Sequence, residues 1–278
     1  MHKTPRDIIL KKAAGTKISV ITAYDYSLAS LCDRAGVDVL LVGDSGGMVM
    51  LGYENTIPVT MEQMEIFTKA VSRARQNALV VSDLPFMSYQ ANVSDAITNS
   101  GRLIKAGADA VKLEGGQVMV DTIKAIVETG IPVMGHIGLQ PQTTMLSQGY
   151  RIQGKTKDTA LKLIEDAKAL EKAGVFSIAL EMVSHEVTKI ISESISIPTI
   201  GIGSGKNCDG QVLVLHDMLG MYDKLKPKFV KRYLSLSNDI TKAVVAYRKD
   251  VESGRFPAKE NWFSMDNLEL EKLRSEIG

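Results

Sequence analysis

This chain places acids, a lysine and a histidine where apolar segments end. Val39-Leu-Leu-Val-Gly stops at Asp44-Ser45, Leu79-Val-Val-Ser at Asp83, Val133-Met-Gly at His136 and Ile178-Ala-Leu at Glu181, while Ala110-Val leads into Lys112 and Glu114. A sixth run, Pro198-Thr-Ile, opens into Gly201-Ile-Gly-Ser-Gly205. Hard divalent cations take oxygen ligands, and Mg2+ is commonly held by one or two carboxylates with substrate and water completing its shell. Asp44, Asp83 and Glu114 are therefore candidate metal ligands. Lys112 and Glu114 stand two residues apart and share a face if their segment is a strand. Three carboxylates, a lysine and a histidine gathered at one place point to metal-assisted chemistry on a small anion.

Each of these residues also has a plainer reading. A single Asp at such a boundary is a solvated loop residue or a helix N-cap. Three acids with an inward lysine weigh against that, because buried charge is not tolerated without partners. Lys112 is a snorkelling rim residue, an anion clamp or a Schiff-base amine. Among carboxylates it stays protonated and is a poor nucleophile, which favours a clamp on a substrate carboxylate or oxyanion. His136, between glycines, is either structural or an active-site group, and with no second histidine nearby metal ligation is its weaker role. His2, His185 and His216 lie outside the pattern and read as surface or core residues. Glu181 follows an apolar run; desolvation there would raise its pKa and suit it to general-base work near neutral pH, whereas a neighbouring amide would make it merely structural. The loop Gly201 to Gly210 is neither a P-loop nor a dinucleotide fingerprint; it holds phosphate or lines a pocket with backbone amides.

The elements that must position these groups alternate. Short apolar segments begin near Ile18, Val37, Ala78, Ala110, Ile131, Phe176 and Ile197, with a weaker eighth near Met218. Between them run stretches with helical spacing, such as Asp158 to Ala173 with Leu161, Ile164, Ala167 and Leu170 on one face, and Val183 to Glu193 with Ser184 as N-cap. Ala35-Gly36, Ala106-Gly107 and Ala173-Gly174 look like helix C-caps before the next strand. Continuous apolar strands are those of a parallel sheet covered on both faces. Eight β/α units predict an α/β fold, a (β/α)8 TIM barrel, whose active site sits at the carboxyl ends of the strands. An open doubly wound sheet would show a glycine-rich turn after its first strand; here that turn is Ala23-Tyr-Asp-Tyr. The whole chain, 1–278, reads as one barrel domain, with 224–278 as appended C-terminal helices and tail. One or two charged helices are expected to pack outside the barrel, broken at Ser253-Gly-Arg-Phe-Pro. The last segment, with Trp262, Leu268, Leu270 and Leu273, is expected to dock on the body or on a neighbouring subunit.

Bulk composition narrows the class. The chain has 278 residues, 45% of them hydrophobic, and a net charge of +1, enough for a large core and without the surplus charge of a nucleic-acid or anionic-membrane surface. No apolar run approaches the roughly 20 residues of a membrane helix. The first residues lack the apolar core of a signal peptide. Cys32 and Cys208 are the only cysteines, too few for a disulfide scaffold, and a reducing, cytoplasmic setting is expected.

At this depth the chain closely resembles the ketopantoate hydroxymethyltransferases. The matching blocks include Ile21-Thr-Ala-Tyr-Asp-Tyr, Val42-Gly-Asp-Ser, Asp83-Leu-Pro-Phe-Met, Val111-Lys-Leu-Glu-Gly-Gly, Gly135-His-Ile-Gly-Leu, Pro141-Gln, Gly201-Ile-Gly, Asp209-Gly-Gln-Val-Leu-Val and His216-Asp, in order from about Lys17 to Pro257. The resemblance implies that Asp44, Asp83 and Glu114 surround Mg2+, that Asp44, Ser45, Asp83 and Lys112 contact a 2-oxo acid, that His136 lines the pocket and binds substrate, and that Glu181 is the proton acceptor. It implies 5,10-methylenetetrahydrofolate as cosubstrate, a cytoplasmic role in pantothenate synthesis, and a homo-oligomer, a decamer as in the family. One departure stands out: Asp44-Ser45-Gly46-Gly47-Met48 replaces the family's usual Asp-Ser-Leu-Gly-Met, which would loosen the loop beside the metal. The segment Gly46 to Pro58 is a candidate lid. Two other readings compete. A Mg2+-dependent lyase or mutase on a related barrel often uses a cysteine at the mouth, but neither cysteine ends an apolar strand. A non-catalytic barrel should have lost a carboxylate, and all four are present.

Overall fold

Eight parallel strands close in chain order into a barrel: β1 (Ile18–Thr22), β2 (Val39–Val42), β3 (Leu79–Asp83), β4 (Ala110–Glu114), β5 (Val133–Gly138), β6 (Ser177–Glu181), β7 (Thr199–Ile202) and β8 (Gly210–Leu213), which pairs back to β1. The computed structural model describes residues 2–143, 149, 151–222 and 227–278. Around the barrel run α1 (Pro5–Ala13), α2 (Tyr26–Arg34), the short α3 (Gly46–Val49), α4 (Met61–Ala74), α5 (Val93–Lys105), α6 (Val120–Glu128), α7 (Lys157–Ala173), α8 (His185–Ser194) and the short α9 (Leu215–Met218); α10 (Leu236–Glu252) and α11 (Asn267–Ile277) follow. The (β/α)8 expectation holds.

Strand parity explains how the barrel builds its mouth. Successive side chains point to opposite faces of a strand. Val39, Leu41, Leu79, Val81, Ala110, Met134, Ala179, Ile200 and Val212 fill the interior. Their neighbours Leu40, Val42, Val80, Val111, Leu113, Ile178 and Leu180 pack outward beneath the helices. Continuing the inward series toward the carboxyl ends gives Asp83 after Val81, Lys112 and Glu114 after Ala110, His136 after Met134, and Glu181 after Ala179. The charged residues are thus the outermost inward positions of their strands, above inward positions that are apolar except for Ser177.

The eighth strand lies at Gly210–Leu213, and not near Met218 as the sequence suggested. Residues 203–209 alone join β7 to β8, so the alternation that located the other strands is interrupted there. Leu215, Met218 and Leu219 are spaced as a helix is, and the first two fall in α9. Gly210 is also required where it is: a Cβ would lie 2.5 Å from the Ile18 carbonyl oxygen. Along α7 the buried face carries Leu163, Ala167, Leu170 and Ala173, while the expected Leu161 is exposed. Neither α10 nor α11 buries a residue; Ile240, Val244 and Tyr247 remain exposed, so these helices do not pack on the barrel as expected. Helical structure there begins only at Leu236, after Pro227 to Leu234 has run as non-helical chain.

The opposite, amino-terminal face uses aspartates to hold register. Asp38, Asp109 and Asp209 each stand just before an even-numbered strand and accept a hydrogen bond from the backbone of the preceding strand: Ser19 N at 2.9 Å, Val80 N at 2.9 Å and Thr199 N at 2.8 Å. Asp38 also pairs with Lys11 of α1. Burial works against the Asp38 carboxylate, but the Lys11 and Ser19 contacts prevail and hold its pKa below 3.8. A depressed aspartate stabilises the fold above its unfolded pKa and loses that contribution as pH falls through the folded value. Replacing Asp38 by Ala should cost about 1–3 kcal/mol at neutral pH, and the difference from the parent should shrink as pH drops below 3.8. Denaturant titration across that pH range checks both.

Candidate active site

The barrel mouth encloses a cavity of about 150 Å³ lined by Asp44, Ser45, Asp83, Lys112, Glu114, His136 and Glu181, together with Thr22, Thr56, Ile202 and Val214. A cavity of that size has room for a small acid. All of the residues singled out in the sequence therefore share one space.

Strand register makes the contacts. Asp83 and Lys112 are partners on neighbouring strands, and Lys112 Nζ lies 3.1 Å from Asp83 Oδ1. Glu114 and His136 are partners in the next pair, with His136 Nδ1 3.6 Å from Glu114 Oε1. Lys112 Nζ lies 3.4 Å from His136 Nδ1, and His136 Nε2 lies 3.3 Å from Glu181 Oε2. An ammonium can only donate, so the neighbours assign Nδ1 as the acceptor and put the imidazole proton on Nε2, facing Glu181. Burial, seconded by Lys112, holds the His136 pKa below 6.5 and keeps the ring neutral. The contact with Glu181 is close but poorly aligned, leaving Nε2 without a hydrogen-bond partner.

Asp44 follows β2 and donates its backbone N–H to Asp83 Oδ2 at 3.2 Å. Ser45 Oγ lies 2.9 Å from the Tyr24 hydroxyl, which donates to Thr22 Oγ1. Glu181 is the least enclosed of the four carboxylates, with 15% of its side chain exposed. The others are buried. Burial raises the pKa of Asp44 and pushes that of Asp83 up to about 7, with Lys112 pulling both back. Burial and the Asp44 charge raise Glu114 well above the ordinary carboxylate range. Burial alone would lower Lys112, but Asp83, Glu114 and Asp44 outweigh it and keep the ammonium charged.

This donor set asks for more positive charge. Five carboxylates, Asp217 included, line the cavity against one ammonium among the described residues, and Asp83 Oδ1, although near Lys112, has no aligned donor. Among the described residues no three His, Cys, Asp or Glu side chains close into a ready-made cage. Mg2+ does not need one, since it usually takes one or two carboxylates with substrate and water. The residues present fit a divalent cation that is completed by its substrate.

Several contributors carry no sequence signal of their own. Gln142 and Tyr89 are fully buried beside the acids, yet Pro141-Gln stood out only as a block shared with a known family, and Tyr89 not at all. Thr56 contributes a buried, unpartnered hydroxyl at the cavity wall. Ser204 donates to the Leu180 carbonyl and accepts from Val183 N, tying the glycine-rich loop to the strand end that carries Glu181. That loop does not frame the polar cavity: Ile202 reaches it, while Gly203, Gly205 and Lys206 line an adjoining groove of about 880 Å³ that shares Glu181, Pro227 and Phe229 with it. His216 is buried and packs against Tyr24, with ring centroids 5.6 Å apart. His2 is at the far face, paired with Asp109.

A profile of the ketopantoate hydroxymethyltransferase family matches residues 2–259. The chain belongs to this family. A 3-methyl-2-oxobutanoate hydroxymethyltransferase of Nitrosopumilus maritimus is 74% identical over 278 residues, covering 100% of both chains. Its namesake from Clostridium botulinum is 56% identical over 263 residues, covering 94% of this chain and 96% of that one. Membership in the ketopantoate hydroxymethyltransferase family makes the chain a hydroxymethyltransferase. Solved structures of similar shape include a phosphonopyruvate hydrolase in complex with oxalate and Mg++ (TM-score 0.61, 10% identity, covering 99% and 96%) and a 2,3-dimethylmalate lyase (TM-score 0.59, 13% identity, covering 100% of each). At such identities these likenesses speak for the barrel alone.

Gly46, the departure from the family's usual leucine, does not loosen the loop. It is buried, and a Cβ there would lie 2.8 Å from Tyr24 Cδ1 and 2.9 Å from Phe67 Cε2; the two rings occupy the space a side chain would need. Replacing Gly46 by Leu should therefore destabilise the protein by about 1–3 kcal/mol through overpacking, seen as a lowered thermal midpoint. A midpoint at or above that of the parent would show that Tyr24 and Phe67 yield freely.

Proposed function

We propose that the chain transfers a hydroxymethyl group from 5,10-methylenetetrahydrofolate to 3-methyl-2-oxobutanoate, giving 2-dehydropantoate for pantothenate synthesis in the cytoplasm. The observation that carries this reading is the single small cavity in which Asp44, Asp83 and Glu114 surround Lys112, with Glu181 on its rim. Asp44, Asp83 and Glu114 would hold Mg2+, directly or through water. When bound, Mg2+ would supply Lewis acidity that makes the C–H next to the ketone of a 2-oxo acid easier to deprotonate. Asp44, Ser45, Asp83 and Lys112 bind and orient the acid, the Lys112 ammonium opposing its negative charge, and His136 lines the pocket.

Glu181 takes the proton from the branched carbon next to the ketone. Its partial exposure suits a base that must meet substrate, and the Nε2–H of neutral His136 faces the carboxylate oxygen without giving up a proton to it. The electron pair freed at that carbon bonds to the folate-borne methylene as one of its two C–N bonds breaks, the freed nitrogen taking up the proton removed from the substrate. Water then replaces the second nitrogen, its oxygen staying on the methylene and its proton leaving with tetrahydrofolate, so that a hydroxymethyl group stands on a quaternary carbon. The groove beside Glu181 and Phe229 gives the carrier an approach to the same carbon. Premature protonation must be avoided, and the segment Gly46 to Pro58 is suited to act as a lid, since Met48, Val49 and Thr56 from it already line the cavity. The reading includes a homo-oligomer, up to the family's decamer, supported by the apolar residues that α10 leaves exposed; light scattering on the purified protein should return a mass well above the 30.2 kDa of one chain. Among the described residues no helix is long and apolar enough to cross a membrane.

The chemistry is separable from the folate half-reaction. In D2O, the C3 proton of 3-methyl-2-oxobutanoate should exchange only with protein and Mg2+ present, as followed by NMR. Absence of Mg2+-dependent exchange would remove the transferase reading. Replacing Glu181 by Gln should abolish exchange while leaving binding of the 2-oxo acid within a few-fold of the parent; exchange at the parent rate would place the base elsewhere.

A further inference from the structure

Gln142 hydrogen-bonds to all three strand ends that carry the clustered acids. Its side-chain Nε2 donates to Asp44 Oδ2 at 2.8 Å, after β2, and to the Leu84 carbonyl at 2.9 Å, after β3. Its backbone N–H donates to Glu114 Oε2 at 3.0 Å, at the end of β4. Its Oε1 accepts from the Tyr89 hydroxyl at 2.8 Å and from Gln90 Nε2 at 3.2 Å. The neighbours set the amide orientation: one end faces two acceptors that cannot donate, and a flipped amide would lose both of those bonds and the one from Gln90. Gln142 is 1% exposed, and both hydrogens of its amide nitrogen are used.

The consequence falls on the carboxylates. A buried carboxylate oxygen held by an N–H is withdrawn from other partners, which fixes the rotation of the group and leaves its second oxygen as the free one. Gln142 does this to Asp44 and Glu114 at once, engaging Oδ2 of one and Oε2 of the other. The remaining Oδ1 and Oε1 are left for a ligand in the cavity. The amide is neutral, so this alignment adds no positive charge that would compete with a cation, unlike the hold that Lys112 has on Asp83.

We infer that Gln142 is a positioning residue for the divalent-cation site, clamping Asp44 and Glu114 so that their free oxygens converge on the cation. The inference rests on the Mg2+ reading proposed above, and Gln142 itself touches neither the metal nor the reacting atoms. Partners that orient metal ligands in this way typically contribute 10–100-fold in affinity or activity.

The test is calorimetric titration of Mg2+ into substrate-free protein, alongside C3 exchange as a function of Mg2+ concentration. Gln142→Met keeps the volume and removes the amide; Mg2+ affinity should fall at least tenfold, and excess Mg2+ should restore most of the exchange rate because Lys112 and Glu181 are untouched. Gln90→Leu removes a donor to Gln142 Oε1 that bonds to none of the acids; it should give a smaller loss of the same kind, and it decides the matter if Gln142→Met does not fold. Parent-like Mg2+ affinity in the variants, or an exchange defect that added Mg2+ does not relieve, overturns the inference and leaves the Mg2+ reading standing. Failure of the parent protein to bind Mg2+ both alone and with the 2-oxo acid present removes both.

Discussion

The site depends on an electrostatic imbalance that the barrel enforces. Asp44, Asp83, Glu114 and Glu181, with Asp217 at the wall, face one cavity in which Lys112 is the only ammonium among the described residues. Removing one such group from water is unfavourable unless partners repay the lost hydration. Three of the four are buried and their pKa values are raised, chiefly by that burial. A site in this condition stores an affinity for positive charge, and for a ligand that can share it. A 2-oxo acid with a divalent cation satisfies both demands, because the metal neutralises the carboxylates while the acid's own charge meets Lys112.

The scaffold tolerates this because the two ends of the barrel do different work. At the amino-terminal face Asp38, Asp109 and Asp209 are answered by backbone N–H groups and lysine or arginine partners. These acids lock register. At the carboxyl-terminal face the acids are answered incompletely, and the residual demand is what a ligand meets. Between the two, an interior that is mostly apolar separates one set of charges from the other. The same residue type thus serves stability at one end and chemistry at the other, the difference being whether its oxygens are already spoken for.

Much of this arrangement was legible before any coordinates. Seven of the eight strand positions follow from continuous apolar runs, and the acids at their ends announce themselves by breaking those runs. The eighth strand did not, because Gly210-Gln-Val-Leu is short and polar at one position and no helix separates it from β7. Gln142 escaped for a related reason: a glutamine in a loop has no periodicity to violate, and its importance lies wholly in which groups it meets. Tyr89 escaped in the same way. The Gly46 substitution was misjudged because sequence gives the size of the missing side chain but not that Tyr24 and Phe67 already fill its place.

What the sequence determined by itself is a matter of local rules. Side-chain alternation along a strand has a fixed period, so Lys112 and Glu114 share a face, and Asp83, His136 and Glu181 each share one with the apolar residue two positions before. Only the tertiary structure decided which of them meet. The closure and stagger of eight strands set Lys112 beside Asp83 and His136 between Glu114 and Glu181, and brought the loop after β5 back across the ends of β2, β3 and β4. Those distances arise from register between segments far apart in the chain, and no local pattern encodes them.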